Sequence, residues 1–352
     1  MKKSIAVLTA VIMLFSCAVI FGACSKDTGE TTVAQDTAAA QDEQTTQNTA
    51  DTGAKSLLNG LPVENANARP VGIVVENTPA ARPQWGITTP ALTFEYEVEG
   101  GITRMLWVYD SIDDVPEKVG PVRSARHDAV ELAMGMDMLF VHIGKSTIAD
   151  ELMNSLVGNF DHIDGNYDSS FHYKDTSRNT ASEHRSVLTG SLLREDVAKQ
   201  GIRTTTTEAP FFVFGERELA GTPCENLYVS FSNSYAYDFE YDESKDAYTA
   251  EIDGEKRADD DGNVCEYDNV IILYVDTVSL GDSSGHQDLL LENGGVGLYV
   301  NGGIAEGISW SKPGTSSRLT LSTAYGSELV LNPGTTYIGF VRSTNSGRTE
   351  IG

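Results

Sequence analysis

The chain has 352 residues, of which 51 are acidic and 25 are basic, and its formal net charge is −26. This charge excludes nucleic acid as a partner, because binding to its phosphates requires a basic face. Roughly 300 residues follow the two N-terminal segments described next, and a length of this order predicts two domains.

The first 23 residues have the pattern of an export signal. A short basic start is followed at residues 5–20 by a nearly unbroken apolar run without a charge, and small residues then lead to Cys24. This order is similar to that of bacterial lipoproteins, in which cleavage before the cysteine leaves an N-terminus that carries lipid. Cleavage after Ala18 and an uncleaved anchor are the alternatives. We therefore predict a signal peptide at residues 1–23 and an acylated Cys24 that anchors the protein in the lipid bilayer, at the extracytoplasmic face of the cell membrane.

Residues 24–56 are predicted to be a flexible tether. They are rich in Thr, Ala, Gln and Asp, and large apolar residues are almost absent. A segment of this composition cannot bury enough apolar surface to offset the chain entropy that folding would cost. Its expected role is to space a folded body away from the lipid surface.

Residues 57–206 are predicted to form an α/β domain. The runs at residues 71–75 and 138–144 are apolar on both faces, which is typical of buried strands in a covered sheet. Residues 92–99 alternate between apolar residues and carboxylates, so this strand should have one wet or ion-paired face, and residues 102–110 return beside it. Helical spacing predicts three helices, at residues 127–136, 148–156 and 191–199.

The run Gly120-Pro121-Val122-Arg123-Ser124-Ala125-Arg126 precedes the first predicted helix. Ser124 is a candidate N-cap, and the two guanidinium groups lie near a helix start, where free N–H groups and the helix dipole favour an anion. Arg104 from the neighbouring strand and Lys145 are expected to join them. The alternative is that these arginines pair with the protein's own carboxylates, such as those of the strand at residues 92–99.

Five of the six histidines lie between His127 and His184. His142 lies near the end of a predicted strand, at the sheet edge where open α/β folds bind ligands. A loop-rich section at residues 159–183 holds Asp175 and Arg178, and His184 follows it. Clustered imidazoles and carboxylates are suited to acid–base chemistry. No tight spacing of metal ligands such as His-Glu-x-x-His occurs, however, and neither does Gly-x-Ser-x-Gly. We therefore predict no metal site, no cofactor and no serine hydrolase.

Several of these motifs together resemble the YerB-like lipoprotein family of Gram-positive bacteria. The resemblance rests on Arg69-Pro70 with residues 71–76, Ala81-Arg82-Pro83-Gln84, Glu99-Gly100-Gly101-Ile102-Thr103-Arg104, residues 117–126 and Val141-His142-Ile143-Gly144. It extends from Pro70 to near the C-terminus, and residues 120–126 are its most specific part. Residues 171–178 with His184 are similar to a later polar motif of that family, with Lys174 in place of an arginine. The resemblance implies an exported lipoprotein of two domains and unassigned function.

Residues 207–352 are predicted to form a β-rich domain. Short strands recur throughout this half, with turns at Asn301-Gly302 and Asn332-Pro333-Gly334. Such a pattern favours a sandwich or a barrel, so the chain as a whole is predicted to be α+β. Cys224 and Cys265 are the two cysteines left in the exported body, and they are candidates for a disulfide.

The leading hypothesis is a binding role at the cell envelope without catalysis. The ligand would carry an anionic group, such as the phosphate of a wall polymer or of a lipid-linked precursor, and docking to a membrane protein is the other binding hypothesis. The competing hypothesis is an enzyme that acts on phosphorylated or lipid-linked cell-wall glycans, with His142 or His184 as proton carrier. The candidate ligand-binding residues are Arg104, Arg123, Ser124, Arg126, His142, Lys145, Asp175, Arg178 and His184.

Overall fold

The computed structural model describes residues 53–156, 158–167 and 170–352. The predicted signal peptide, Cys24 and all but the last residues of the predicted tether lie outside the described residues. No helix within the described ranges is long and apolar enough to span a membrane. Acylation of Cys24 therefore stays a prediction.

The first half of the described chain contains three helices close to the predicted positions. They are α1 (His127–Gly135), α2 (Thr147–Ser155) and α3 (Gly190–Gln200). Its strands are β1 (Val71–Glu76), β2 (Leu92–Glu97), β3 (Thr103–Tyr109), β4 (Leu139–His142), β5 (His162–Asp164), β6 (His172–Lys174) and β7 (Ser186–Leu188). Single-turn 3-10 helices occur at Pro79–Ala81, Glu99–Gly101 and Ser182–Arg185.

The second half contains strands and short 3-10 turns within the described residues. The strands are β8 (Val213–Phe214), β9 (Thr222–Pro223), β10 (Asn226–Ser232), β11 (Tyr235–Asp242), β12 (Ala247–Ile252), β13 (Glu255–Lys256), β14 (Glu266–Tyr267), β15 (Asn269–Val275), β16 (Thr277–Ser279), β17 (Gln287–Leu289), β18 (Gly295–Asn301), β19 (Ile304–Ser311), β20 (Thr320–Thr323), β21 (Val330–Leu331), β22 (Thr336–Arg342) and β23 (Glu350–Ile351). The 3-10 turns lie at Leu291–Asn293 and Ser343–Arg348.

Both halves contribute strands to one large sheet. Its order is β20-β19-β18-β15-β22-β2-β3-β1-β4-β5, with β9 paired to β19. Strand β22, near the C-terminus of the chain, lies between β2 and β15 and pairs in parallel with both. The backbone hydrogen bonds therefore continue across the predicted boundary at residue 206, and the two halves share one sheet.

A second sheet packs against one face of the large sheet. Its order is β13-β12-β11-β10-β23, with β14 paired to β12. Aromatic rings fill the interface, where the ring centroids of Phe239 and Tyr337 are 5.1 Å apart and Tyr267 lies beside them. The predicted α+β class is confirmed. Of the sandwich and barrel alternatives, the β-rich half has the sandwich, since neither sheet closes on itself within the described residues.

Helices α1 and α2 pack on the opposite face of the large sheet. Val130 of α1 and Met153 of α2 belong to a buried cluster that also contains Val74 of β1 and Phe140 of β4. These strands are apolar on both faces, as the sequence predicts, because a layer of structure covers each face. The candidate ligand-binding sites lie at the C-terminal ends of β1, β4 and β5, at the edge of the sheet and of the layers that cover it.

The alternating strand β2 has no face open to water. Glu95 is fully buried and Glu97 is 5% exposed, because the second half of the chain covers the carboxylate face. Tyr337 donates to Glu95 Oε2 at 2.9 Å, and Arg342 Nη2 donates to Glu97 Oε1 at 2.8 Å. The ion-paired alternative for this face is therefore the one that the structure has, with partners that lie about 240 residues away along the chain.

The disulfide considered for Cys224 and Cys265 is not present. Both cysteines are free and buried. The thiol of Cys224 contacts the carbonyl of Asn226 at 3.6 Å, and that of Cys265 contacts the carbonyl of Ile87 at 3.6 Å. Burial raises the pKa of each thiol to about 11. The two residues act as small apolar side chains of the core, so this prediction was wrong.

Candidate functional site

The arginine-rich run lies between the C-terminal ends of two parallel strands. Strands β1 and β4 pair only over their first three residues. Beyond that point the strands separate, and the backbone N–H of Arg123 donates to Val74 of β1 at 2.9 Å, while the N–H of Ile143 donates to Arg123 at 3.1 Å. Residues 122–125 therefore form an extended wedge at the edge where open α/β sheets bind ligands.

Gly120 lies just before this wedge in the chain. Its φ is +147°, a backbone conformation that side-chain-bearing residues rarely adopt. A Cβ atom at this position would lie 2.6 Å from the carbonyl oxygen of Ser186 in β7. Two residues later the N–H of Val122 donates to the same oxygen at 2.9 Å. A glycine is thus required where the chain passes β7.

Ser124 is not the N-cap of α1, so this prediction was wrong. The helix begins at His127, and Arg126 occupies the cap position without a side-chain hydrogen bond. The reason is that residues 122–125 are held extended by backbone bonds to their neighbouring strands. The carbonyl of Ser124 instead accepts from Arg104 Nη1 at 2.8 Å, and it is Ser146 that caps a helix, by accepting from Ala149 N–H at 3.1 Å.

Arg104 and Arg126 are both directed at Glu99. Arg126 donates from Nε to Glu99 Oε2 at 3.1 Å and from Nη2 to Oε1, while Arg104 Nη2 lies 3.8 Å from the same carboxylate. Burial alone would raise the pKa of Glu99, but the hydrogen bond and charge of Arg126 together with the charge of Arg104 lower it to about 2. For these two arginines the ion-pair alternative holds, and both are buried, Arg104 at 3% and Arg126 at 8% exposed.

Arg123 and His184 meet at a different carboxylate. Glu76, the last residue of β1, is 2% exposed. It accepts from His184 Nδ1 at 2.9 Å and from Thr78 Oγ1 at 3.0 Å, and Arg123 Nε lies 3.4 Å from its Oε2. The side chain of Arg123 is 25% exposed, so its outer nitrogens reach solvent beside this buried anchor.

Two further cations adjoin Arg123, and neither was among the predicted ligand-binding residues. Lys174 ends β6 opposite Ser186 of β7, and its Nζ donates to the carbonyl of Ser182 at 3.0 Å and to Ser186 Oγ. Burial lowers the pKa of Lys174, and the charges of Arg123 and Arg185 lower it further, while the nearby charges of Glu183 and Glu76 oppose this shift. The Nε atoms of Arg123 and Arg185 are buried without a hydrogen-bond partner among the described residues. We call Arg123, Lys174 and Arg185 the cationic cluster.

Ser124 and Lys145 line a separate open cleft of about 460 Å³. Lys145 Nζ lies 3.3 Å from Asp150 and 3.4 Å from Asp164, and it sits 5.1 Å from the ring centroid of Tyr167. Two carboxylates thus face one ammonium group. The cleft is negative on balance, which makes it a poor site for an anion.

His142 is enclosed in the protein. It is fully buried, with Nδ1 2.8 Å from the carbonyl of Gly144 and Nε2 3.1 Å from His162 Nδ1. Burial lowers its pKa to about 4, so the ring is neutral at pH 7. A proton carrier needs access to the reacting group, and both nitrogens of this imidazole are already bonded inside the fold.

Arg178 and Asp175 take part in local structure. The guanidinium carbon of Arg178 lies 3.4 Å from the ring centroid of Trp85, and Nη1 donates to the carbonyl of Ala81 at 3.2 Å. Asp175 accepts from the N–H of Ser177 at 2.8 Å in an exposed turn. Of the nine predicted residues, only Arg123 and His184 therefore contribute to a site with a surplus of positive charge.

Comparison with known proteins finds relatives for both halves. The model described as "Protein of unknown function (DUF3048) N-terminal domain" matches residues 58–203, and the corresponding C-terminal domain matches residues 227–338. "Putative lipoprotein YerB" of Bacillus subtilis (strain 168) is 29% identical over 306 residues, which cover 85% of this chain and 89% of that protein. A crystal structure of the YerB protein from Bacillus subtilis superposes with a TM-score of 0.75, covering 85% of this chain and 99% of the other.

Proposed function

This chain belongs to the YerB-like family, whose two domains carry the DUF3048 description, and from that premise we propose that it is a lipid-anchored protein which binds a phosphate-bearing ligand of the cell envelope. The anchor would be acylated Cys24, at the extracytoplasmic face of the membrane. The ligand would bind at the cationic cluster. No step of catalysis is needed for this role.

The anchor is supported by the N-terminal sequence and by a relative. Cys24 follows a basic start and an uncharged apolar run, and the similar protein of Bacillus subtilis carries the word lipoprotein in its name. Residues 24–56 would hold the folded body away from the lipid headgroups. The acidic residues of the body also oppose adsorption on anionic lipid, so the acyl chains would supply the attachment.

The observation that carries ligand binding is the convergence of Arg123, Lys174 and Arg185 in a body with a net charge of −26. Glu76 is the nearest buried carboxylate, and His184 already contacts both of its oxygens. Arg123 approaches this carboxylate through Nε, at 3.4 Å, and Arg185 makes no side-chain hydrogen bond or ion pair among the described residues. Phosphate offers several acceptor oxygens to such donors, and charge-assisted hydrogen bonds of this kind are strong. The distant acidic groups are screened beyond about 8–10 Å at physiological salt.

Binding is tested with inorganic pyrophosphate as the probe. We expect pyrophosphate to raise the melting temperature of the full chain, and we expect Arg123→Ala and Lys174→Ala each to weaken its binding roughly tenfold or more, because each removes a charge-assisted hydrogen bond. Isothermal titration calorimetry gives the affinities. Arg203→Ala is the matched control, since Arg203 is an exposed arginine paired with Asp137 elsewhere on the surface.

Equal affinities for the wild type, Arg123→Ala and Arg203→Ala would contradict the proposal. The enzyme hypothesis gives a different result, namely turnover of a pyrophosphate-linked glycan that is lost on His184→Ala. A variant that unfolds is recognised by circular dichroism, and Lys174→Ala then decides, because Lys174 is exposed and bonds only to Ser182 and Ser186 among the described residues.

The anchor makes a prediction of its own. Replacing Cys24 with serine should release the chain from the membrane fraction into the medium and abolish incorporation of labelled palmitate, because no thiol remains to accept the acyl chain. Fractionation and labelling of cells that produce each form measure both effects. If the variant stays in the membrane, the apolar run is an uncleaved anchor; if both forms are released, cleavage occurs after Ala18.

A further inference from the structure

A second group of ligating side chains lies where α1 begins. His127 and Asp128 open this helix, and Asp288 approaches them from β17 in the other half of the chain. His127 Nε2 lies 3.1 Å from Asp288 Oδ1 and 3.5 Å from Asp128 Oδ1. The three ligand atoms all lie within 4.8 Å of one another. The site does not overlap the cationic cluster in any residue.

We propose that His127, Asp128 and Asp288 bind one divalent transition-metal ion, with Zn²⁺ as the preferred ion. One imidazole nitrogen and two carboxylate oxygens are a donor set that suits Zn²⁺ and, more weakly, Mn²⁺. Ligand atoms about 2.0–2.1 Å from a tetrahedral ion are separated by about 3.3–3.4 Å. The observed separations of 3.1 and 3.5 Å bracket this value.

The three side chains cannot satisfy one another. Nε2 of His127 carries at most one proton, yet two carboxylates face it. Asp128 Oδ1 also accepts from the N–H of Leu289, at 3.0 Å. A cation between the carboxylates would remove their mutual repulsion. The other ring nitrogen, Nδ1, is buried without a partner among the described residues. With the proton on Nδ1, the Nε2 lone pair is free for a metal, and metal binding then replaces the hydrogen bond that Nε2 donates to Asp288 in the metal-free form.

The surrounding charges also favour a cation. Asp128 is only 3% exposed, and Asp288 places a second carboxylate beside the same imidazole. Glu131 is one turn further along α1, and burial raises its pKa to about 7 despite Lys312, whose Nζ lies 3.9 Å away. Glu292 adds another negative charge. The positive N-terminal end of the α1 dipole repels a cation, but this repulsion is weaker than the attraction of two adjacent carboxylates. Asp288 is 31% exposed, which gives the ion a route from solvent.

The test is a calorimetric titration of the untagged full chain with ZnCl₂ after treatment with a chelator. We expect one equivalent to bind, and we expect His127→Ala and Asp288→Asn each to weaken the affinity at least tenfold. Mn²⁺ should bind less tightly, following the usual order of divalent ions. His286→Ala is the matched control, because His286 is a histidine beside a carboxylate, Asp282, in the loop before the same strand.

Three results would overturn the proposal: no Zn²⁺ binding at micromolar concentrations, binding that survives both His127→Ala and Asp288→Asn, or binding that His286→Ala removes. If His127→Ala does not fold, Asp288→Asn decides alone, because Asp288 is partly exposed and no buried N–H depends on it in the described residues. The outcome is independent of pyrophosphate binding, which uses other side chains. Failure of either proposal therefore leaves the other standing.

Discussion

Replacing Arg257 with methionine is expected to lower the free energy of unfolding by about 3–5 kcal/mol, because it removes a buried cation that donates to two members of a hydrogen-bond network and lies near the buried Glu95. Arg257 is 4% exposed. Its Nη2 donates to Asn77 Oδ1 at 2.8 Å and to Gln84 Oε1 at 2.7 Å. Both acceptors would lose a donor in a region closed to water, where an unsatisfied group costs most.

The network behind this effect joins the two halves of the chain. Asn77 Nδ2 donates to Glu95 Oε1 at 2.9 Å and to the hydroxyl of Tyr237 at 2.8 Å, and Tyr337 donates to Glu95 Oε2 at 2.9 Å. Burial raises the pKa of Glu95 above its ordinary value, while the charge of Arg257 opposes the rise. Because the folded-state pKa is raised, ionisation of Glu95 costs stability as the pH rises, and it costs more without Arg257.

Urea unfolding at pH 5 and at pH 8 measures both consequences. The loss in free energy of unfolding caused by Arg257→Met should be larger at pH 8, where Glu95 is fully ionised in the unfolded state. Lys256→Met is the matched control, since it removes the same charge from the neighbouring residue, which is exposed and lies 3.6 Å from Glu240 and 3.9 Å from Glu251. That control should change the free energy of unfolding by about 1 kcal/mol or less. If both variants lost the same free energy of unfolding, the buried network would contribute no more to stability than an exposed ion pair does.

Gly120→Ala should lower the free energy of unfolding by at least about 2 kcal/mol, since strained backbone alone costs about 1–3 kcal/mol and a clash adds to it. The φ of +147° is unfavourable for alanine, and the new Cβ would lie 2.6 Å from the backbone oxygen of Ser186, which cannot rotate away. Relief would require the wedge at residues 122–125 to move. We therefore expect the same variant to weaken pyrophosphate binding, because Arg123 is carried by that wedge.

Gly307→Ala is the control for this experiment. Gly307 lies in β19, and a Cβ atom there would meet nothing within 4 Å. Alanine should be neutral or slightly stabilising at such a strand position, by up to about 1 kcal/mol. Thermal unfolding of both variants beside the wild type gives the comparison. If Gly120→Ala and Gly307→Ala had the same melting temperature, the backbone beside β7 would have adjusted to the new side chain without strain, which would contradict this prediction.

Local pattern was sufficient to find the main elements. The apolar runs that became β1 and β4, the helical spacing of α1 to α3, and the α+β class all follow from periodicity, because a segment that is covered on both faces must be apolar on both. Residues 120–126 also stand out by local composition, since glycine, proline and two arginines occur together before a helix. The wedge is indeed placed at the C-terminal ends of parallel strands.

Local sequence pattern could not predict which side chains pair with residues that are distant along the chain. The partners of Arg126 and Arg123 are Glu99 and Glu76, and nothing in the spacing distinguishes those carboxylates from their neighbours. The same holds for Lys174 and Arg185, which become adjacent to Arg123 only because β7 runs beside the wedge. Ser124 failed as a helix cap for a related reason. Competing strand-like hydrogen bonds on both sides of the wedge hold it extended, and these come from residues distant in sequence.

The position of β22 has a consequence for the order of events during biosynthesis. The strand comes from Thr336–Arg342, yet it fills the gap between β2 and β15 in the middle of the large sheet. A chain that emerges N-terminus first, from a ribosome or through a membrane pore, must therefore wait for residues 336–342 before this sheet can form without a gap. Until then, the exposed edges of β2 and β15 are open to wrong partners. Shortening the chain by a few percent at its C-terminus should thus be far more harmful than its length suggests.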